Sequence, residues 1–177
     1  MNQDTIDINK KWESLHDGDL TKIGLQPKMD SIGIWTEGWG NAMINPNTGD
    51  FLRGIENKEL ANKLATIHTE EQANIALNID LIRYAKMAEI AVGVDYWKLM
   101  NENMKGALTT FVRNCGTINK KAKKPYQIFR NIQLFFMGNM SQQQLVDYWK
   151  KSVITAGGVK LRGLELRRAD EVKLFFK

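Results

Sequence analysis

Cysteine is nearly absent from this 177-residue chain: there is one, Cys115. No intrachain disulfide is possible, so the fold rests on its core. The thiol sits in an apolar, helical-looking stretch, ALTTFVRNCG. A catalytic thiol needs a nearby base and an electropositive, part-exposed setting. Histidine is almost as scarce, and neither His16 nor His68 is placed by sequence to supply that base. Nor do they have a metal-ligand spacing with Cys115, so no metal is expected. Cys115 therefore reads as a buried structural residue. Long apolar runs are missing too, and nothing approaches the roughly eighteen residues of a membrane span. The first residues, MNQDTIDINKKWESLHDGD, lack the basic-then-apolar order of a secretory signal. The expectation is a chain that works in the cytoplasm, is carried out by another component, or is trimmed at this end, with no stable membrane insertion.

Charge of one sign is in modest excess, with 25 Lys and Arg against 20 Asp and Glu, a formal net of +5. A basic balance suits polyanions: nucleic acid, an anionic membrane surface or bacterial cell wall. Charge does not choose among them. No zinc-finger, RRM or KH signature accompanies it, which argues against nucleic acid. The densest cluster is Lys120, Lys121, Lys123 and Lys124, which reads as a solvated loop.

The chain is long enough for one domain or two lobes sharing a core. Ile8, Trp12 and Leu15 recur at helical spacing, so residues 5–16 read as a short helix capped by Asp7 or Asn9. Residues 16–30 carry Gly18, Gly24 and Pro27 and read as loop. Residues 31–54 read as a small β region in which Ile32, Ile34, Trp35, Trp39 and Ile44 suit strands and residues 45–49 (NPNTG) form a hairpin turn. From Asn57 on the pattern is helical. Thr69 with Gln72 forms a capping box ahead of a long run, in which Ile75, Leu77, Ile79, Ile82 and Met87 give a broad buried stripe. A further helix over 103–114 closes at Gly116. Ser141 with Gln144 opens another, and a basic helix runs from about 164 to 176. A β segment set among helices predicts an α+β domain.

Carboxylates number 20, so residue type alone cannot select a functional pair. Context can. Glu13 stands in WESL, and Asp30 is followed after five residues by Thr36 and then by Gly38-Trp39-Gly40. Residues 107–116, ALTTFVRNCG, and the tail from Gly157 to Phe175, GGVKLRGLELRRADEVKLF, complete three ordered segments covering both ends and the middle of the chain. Together these resemble the phage-type lysozymes of glycoside hydrolase family 24, in its lambdoid and T4-like branches.

The resemblance implies an α+β, lysozyme-like fold over 1–177, with a small β lobe at about 14–60, a helical lobe from 1–13 and 61–177, and a cleft between. It implies a muramidase that cleaves the β-1,4 bond between N-acetylmuramic acid and N-acetylglucosamine, with no cofactor. Such chemistry needs a proton donor for the leaving oxygen and a second carboxylate. By the resemblance Glu13 is the general acid, Asp30 the second carboxylate, and Thr36 the hydroxyl that places water. The acid must hold its proton at working pH, which calls for a partly apolar site; Trp12 and Leu15 suit one. Trp39, Arg113 and Asn114 are candidate substrate contacts, and either Arg167 or Arg168 orients Glu13. Sixteen residues separate Glu13 from Asp30, more than in the family pattern, so Asp17 and Asp19 stand as rival second carboxylates without the spacing to Thr36. Arg113 stands where the family often has an aromatic. The expected setting is a phage or prophage endolysin, monomeric, collecting in the host cytoplasm and reaching peptidoglycan after release. The alternatives are an inactive wall-binding module on the same fold and, from charge alone, a nucleic-acid binder.

Overall fold

The computed structural model describes residues 1–13, 25–30, 32–119, 122–156 and 158–177. These group into two compact units, one of Asn9–Asp80 and one of Met1–Ile8 with Leu81–Lys177. Helices and small antiparallel sheets make up both, as the α+β reading requires.

Helix α1, Gln3–Trp12, begins earlier than its hydrophobic spacing suggests. Asn2 caps it: the Asn2 side-chain oxygen accepts from the Thr5 amide at 3.1 Å and the Thr5 hydroxyl at 2.6 Å. Asp7 and Asn9, the caps expected from sequence, lie inside the helix. The expected helical residues 14–16 and the 16–24 part of the loop lie outside the described residues, as do Asp17, Asp19 and His16.

In the Asn9–Asp80 unit, β1 (Lys28–Met29), β2 (Trp35–Glu37) and β3 (Asn41–Ala42) form one antiparallel sheet in that order. Ile34 bridges to Arg53 and Ile44 to Phe51. The turn at 45–49 closes through the Asn45 amide on the Asp50 carbonyl at 2.8 Å and the Gly49 amide on Asn45. Ile32 and Trp39 fall in turns rather than strands. Trp35, Met43, Leu52 and Ala61 make this unit's core, with Ala61 contributed by α2, Lys58–Leu64. The Trp35 indole donates to the Gly54 carbonyl at 2.7 Å, so its one polar atom is satisfied on burial.

Helix α3, Glu70–Val92, opens with the expected capping box. The Thr69 hydroxyl accepts from the Gln72 amide, and the Gln72 side chain accepts from the Thr69 amide, both at 3.1 Å. Its buried stripe matches the expected one only in part: Leu77 is buried and Met87 packs partly buried against the core. Ala73, Leu77, Leu81, Ala88 and Val92 are buried, while Ile75, Ile79 and Ile82 are exposed. The helix carries two apolar rows, and the row of Ala73, Leu77, Leu81, Ala88 and Val92 goes inward.

The rest of the helical unit comprises α4 (Val94–Leu99), α5 (Glu102–Cys115), α6 (Gln127–Phe136), α7 (Gln142–Lys151) and α8 (Arg162–Phe175), with short two-stranded ribbons β4–β5 (Ile118–Asn119, Lys124–Pro125) and β6–β7 (Thr155–Ala156, Val159–Lys160). Helix α5 ends at Gly116, whose φ of 73° suits only glycine well. Ser141 and Gln144 form the expected capping box on α7. Phe111 of α5 is fully buried, and Tyr126, Phe129 and Trp149 meet it edge-on at 5.8, 6.4 and 6.0 Å. Of the lysine cluster, Lys123 is exposed in a turn and Lys124 is exposed on β5 rather than in a loop, while Lys120 and Lys121 lie outside the described residues.

Helix α1 crosses α5 where Gly106 faces Thr5, and a Cβ on Gly106 would collide with the Thr5 hydroxyl and Cβ. Alanine gains up to about 1 kcal/mol in a helix interior over glycine. Here that gain is overturned, because overpacking typically costs about 1–3 kcal/mol. Gly106→Ala is expected to lower the melting temperature, and adding Thr5→Ala to recover part of the loss. Thermal unfolding of the two variants checks this; an unchanged or raised melting temperature for Gly106→Ala contradicts it.

Candidate functional site

Glu13 follows directly on α1 and is half-buried, with its amide donating to the Asn9 carbonyl at 2.9 Å as the last turn closes. Its carboxyl lies against Gly40. A Cβ at Gly40 would stand 2.5 Å from Glu13 Oε2 and 3.1 Å from its Cδ. Gly40 has φ +79° and closes the Gly38-Trp39-Gly40 turn between β2 and β3. Two demands therefore coincide at this position: a left-handed backbone and no side chain. The residue is not among the candidates read from sequence, although the Gly-Trp-Gly signal was visible.

Thr36 sits on β2 and is buried. Its hydroxyl donates to the Lys28 carbonyl at 3.2 Å, which leaves the oxygen's lone pairs to accept. Asp30 immediately follows β1. Lys28 pairs with Thr36 and the Asp30 amide donates to Ile34, so the period-two alternation puts Asp30 and Thr36 on one face of the ribbon as diagonal neighbours. Asp30 Oδ1 accepts the Ile32 and Ile34 amides at 2.9 and 2.8 Å. The turn thus holds the carboxylate plane, and Oδ2 accepts no bond among the described residues.

Trp39 is half-buried and packs against the small cluster of Ile67 and Ala73. Its indole donates to Asn74 Oδ1 at 2.9 Å, and the Lys10 ammonium stands 5.1 Å from its ring centre. Glu37 clamps the sheet to the start of the next segment: its carboxylate accepts the Thr66 and Ile67 amides at 2.8 and 3.1 Å and the Thr66 hydroxyl at 2.9 Å. Glu13, Asp30, Thr36 and Trp39 thus belong to one unit.

Arg113, Asn114, Arg167 and Arg168 belong to the other. Arg168 is fully buried and committed: it donates to Glu171 at 2.9 Å and to Asn114 Oδ1 at 2.6 Å, meets Cys115 Sγ at 3.0 Å, and lies 4.8 Å over the Phe111 ring. Glu171 also accepts the Trp149 indole at 3.0 Å. Arg167 stands further from Glu171, at 3.7 Å. Burial pushes the Glu171 carboxyl up, against the pull of Arg168 and then Arg167. Burial likewise pushes up the Cys115 thiol, with Arg168 opposing. A thiol held in its neutral form is a poor nucleophile. Among the described residues no group of three or more His, Cys, Asp or Glu converges as a metal site.

Gly40→Ala is expected to push the Glu13 carboxyl out of place. Were Glu13 the acid implied by the resemblance, a displacement of about 1 Å would cost on the order of 10²-fold in rate; retained peptidoglycan turnover in a folded Gly40→Ala variant contradicts that expectation.

Solved structures with this fold include the endolysin from the Escherichia coli O157:H7 phage FAHEc1, at 22% identity and TM-score 0.66, with 99% of this chain and 92% of that one covered. The active form of the P1 phage endolysin Lyz gives 19% identity, TM-score 0.60 and coverages of 99% and 84%. The muramidase domain of SpmX from Asticaccaulis excentricus gives 18%, 0.61, 99% and 97%. At these identities the likeness is one of fold. No curated protein matches the chain. The model of the family described as Phage lysozyme matches residues 20–171, a span that begins after Glu13. With most of its length matched from the β1 approach to the last helix, the chain belongs to the phage lysozyme family.

Proposed function

We propose that the protein is an endolysin that hydrolyses the β-1,4 bond between N-acetylmuramic acid and N-acetylglucosamine in peptidoglycan. The observation that carries the reading is the seating of the Glu13 carboxyl on Gly40, in the turn directly after the strand of Thr36. Glu13 donates its proton to the leaving glycosidic oxygen. The Thr36 hydroxyl, its proton spent on Lys28, accepts from the attacking water. Asp30, held through Oδ1 by two amides, offers Oδ2 to that water or to the positive charge developing on the sugar.

Either Arg167 or Arg168 remains the residue proposed to orient Glu13; the guanidinium of Arg168 donates to Glu171 and Asn114. Trp39 contributes a ring face and not a donor, its indole N–H being spent on Asn74. Asn114, whose Oδ1 accepts from Arg168, and Arg113 are the proposed contacts to substrate and its acidic stem peptides. No helix among the described residues is long and apolar enough to cross a membrane. In this reading the protein collects in the host cytoplasm and reaches the wall through a separately made lesion.

The test is digestion of purified peptidoglycan, followed by borohydride reduction and mass spectrometry of the fragments. New muramitol ends are expected. Glucosaminitol ends would replace the assigned bond, and wall binding without release would make the chain a binding module.

A further inference from the structure

Glu37 takes no part in the proposed hydrolysis, yet it stands between two of its parts. In sequence it follows Thr36 and precedes the Gly38-Trp39-Gly40 turn, against which the Glu13 carboxyl lies. Side chains alternate along a strand, so Glu37 leaves β2 on the face opposite Thr36. There it meets the segment after α2. Its Oε2 accepts the Thr66 and Ile67 amides at 2.8 and 3.1 Å, and its Oε1 accepts the Thr66 hydroxyl at 2.9 Å. The backbone of Glu37 pairs with Asn41, and this pair closes the turn. The base of the turn is thus tied to residues 29 and 30 positions further along the chain.

Such a tie matters because the turn is built on glycines. Gly38 and Gly40 have φ of 56° and 79°. Glycine has the widest backbone freedom of any residue, so its neighbours must fix its place. Ile67, whose amide Glu37 holds, lies under the turn: a Cβ on Gly38 would stand 2.7 Å from Ile67 Cδ1, and Trp39 packs on Ile67 and Ala73. Gly40 is then held between Trp39 and Asn41, the cross-strand partner of Glu37. We propose that Glu37 is a positioning residue: by anchoring the turn to Thr66 and Ile67 it holds Gly40, and through Gly40 the Glu13 carboxyl, where proton transfer needs it. The inference rests on the proposed hydrolase with Glu13 as its acid. The action is geometric and needs no charge. A glutamine can reproduce it, with its carbonyl oxygen in the place of Oε2 taking both amides and its NH₂ donating to the Thr66 hydroxyl, which turns to accept. A leucine keeps the bulk and offers no acceptor.

Glu37→Leu and Glu37→Gln, compared with wild type, test this through three readouts: turnover of soluble peptidoglycan fragments, melting temperature, and NMR of the whole chain labelled with ¹⁵N-glycine. Glu37→Leu is expected to lower kcat on the order of 10–100-fold, with KM unchanged because no contact to substrate is removed. Its Gly38 and Gly40 signals shift or broaden. Its melting temperature falls little, because Thr66 is exposed and water takes over its bonds. Glu37→Gln is expected to recover most of the turnover and the wild-type glycine signals. A Glu37→Gln variant as slow as Glu37→Leu overturns the proposal, since charge and not geometry would then be what matters. A loss in KM in place of kcat, or full turnover in Glu37→Leu, overturns it as well. A wild type without turnover overturns the hydrolase and this inference with it, whereas glycine signals that stay in place in Glu37→Leu overturn this inference alone.

Discussion

Glu13→Gln is expected to remove peptidoglycan hydrolysis almost completely, with a fall on the order of 10²–10⁴-fold, the usual contribution of a general acid. The glutamine amide has nearly the volume of the carboxyl and rests on Gly40 in the same way, so the fold has no reason to change. What is lost is the acidic proton. Turbidity clearing of purified peptidoglycan, with melting temperatures in parallel, measures both. Clearing by wild type and none by a variant of equal stability supports Glu13 as the acid. Equal clearing by both moves the acid elsewhere. A parallel Asp30→Asn variant then separates Asp30 from its rivals Asp17 and Asp19, because only a change at the true second carboxylate slows the reaction.

The largest stability effect is expected at Glu171. This carboxyl and the guanidinium of Arg168 are both fully buried and 2.9 Å apart. Glu171→Leu strands Arg168 in the core, and a guanidinium cannot shed its proton. Removing one partner of such a pair costs about 3–5 kcal/mol, or about 10 °C in melting temperature for a chain of this size. Arg168→Met is expected to cost less, because the Glu171 carboxyl, already pushed up by burial, can take a proton. That variant acquires a pH dependence. The folded carboxyl holds its proton to higher pH than the unfolded one, so stability is full at low pH and declines as pH rises through the folded value. Thermal melts of both variants across pH decide the matter; equal losses, or a stability of Arg168→Met that rises with pH, contradict the account. The pair Arg168→Met with Glu171→Leu leaves no stranded charge and is expected to be closer to wild type than Glu171→Leu alone.

What could be read from the sequence was what neighbouring residues settle among themselves. The capping boxes of Thr69 with Gln72 and Ser141 with Gln144 close over three residues, so type and spacing suffice. The glycine that ends α5 and the turn at 45–49 are local in the same sense. Misreadings arose where a local pattern allowed several answers. Asn2, Asp4, Thr5, Asp7 and Asn9 all have side chains able to cap the first helix, and Asn2 does so because the helix begins at Gln3. Ile32 and Trp39 have strand-forming side chains, yet glycines with positive φ at 33, 38 and 40 turn the chain beside them.

By itself, the order of the segments around Glu13, Asp30 and Thr36, Asn114 and Arg168 pointed to the family, because a family resemblance is a pattern of residue types along the chain. Three-dimensional packing decided what each side chain is free to do. It set the Glu13 carboxyl on a glycine 27 positions away, tied one oxygen of Asp30 to its own turn, and committed Arg168 to Glu171 while Arg167 stands further off. It also chose which apolar row of α3 faces inward. Both rows have the helical period, and hydrophobicity is non-directional. Only the tertiary fold decides that Ala73, Leu77, Leu81, Ala88 and Val92 are buried and Ile75, Ile79 and Ile82 are left outside.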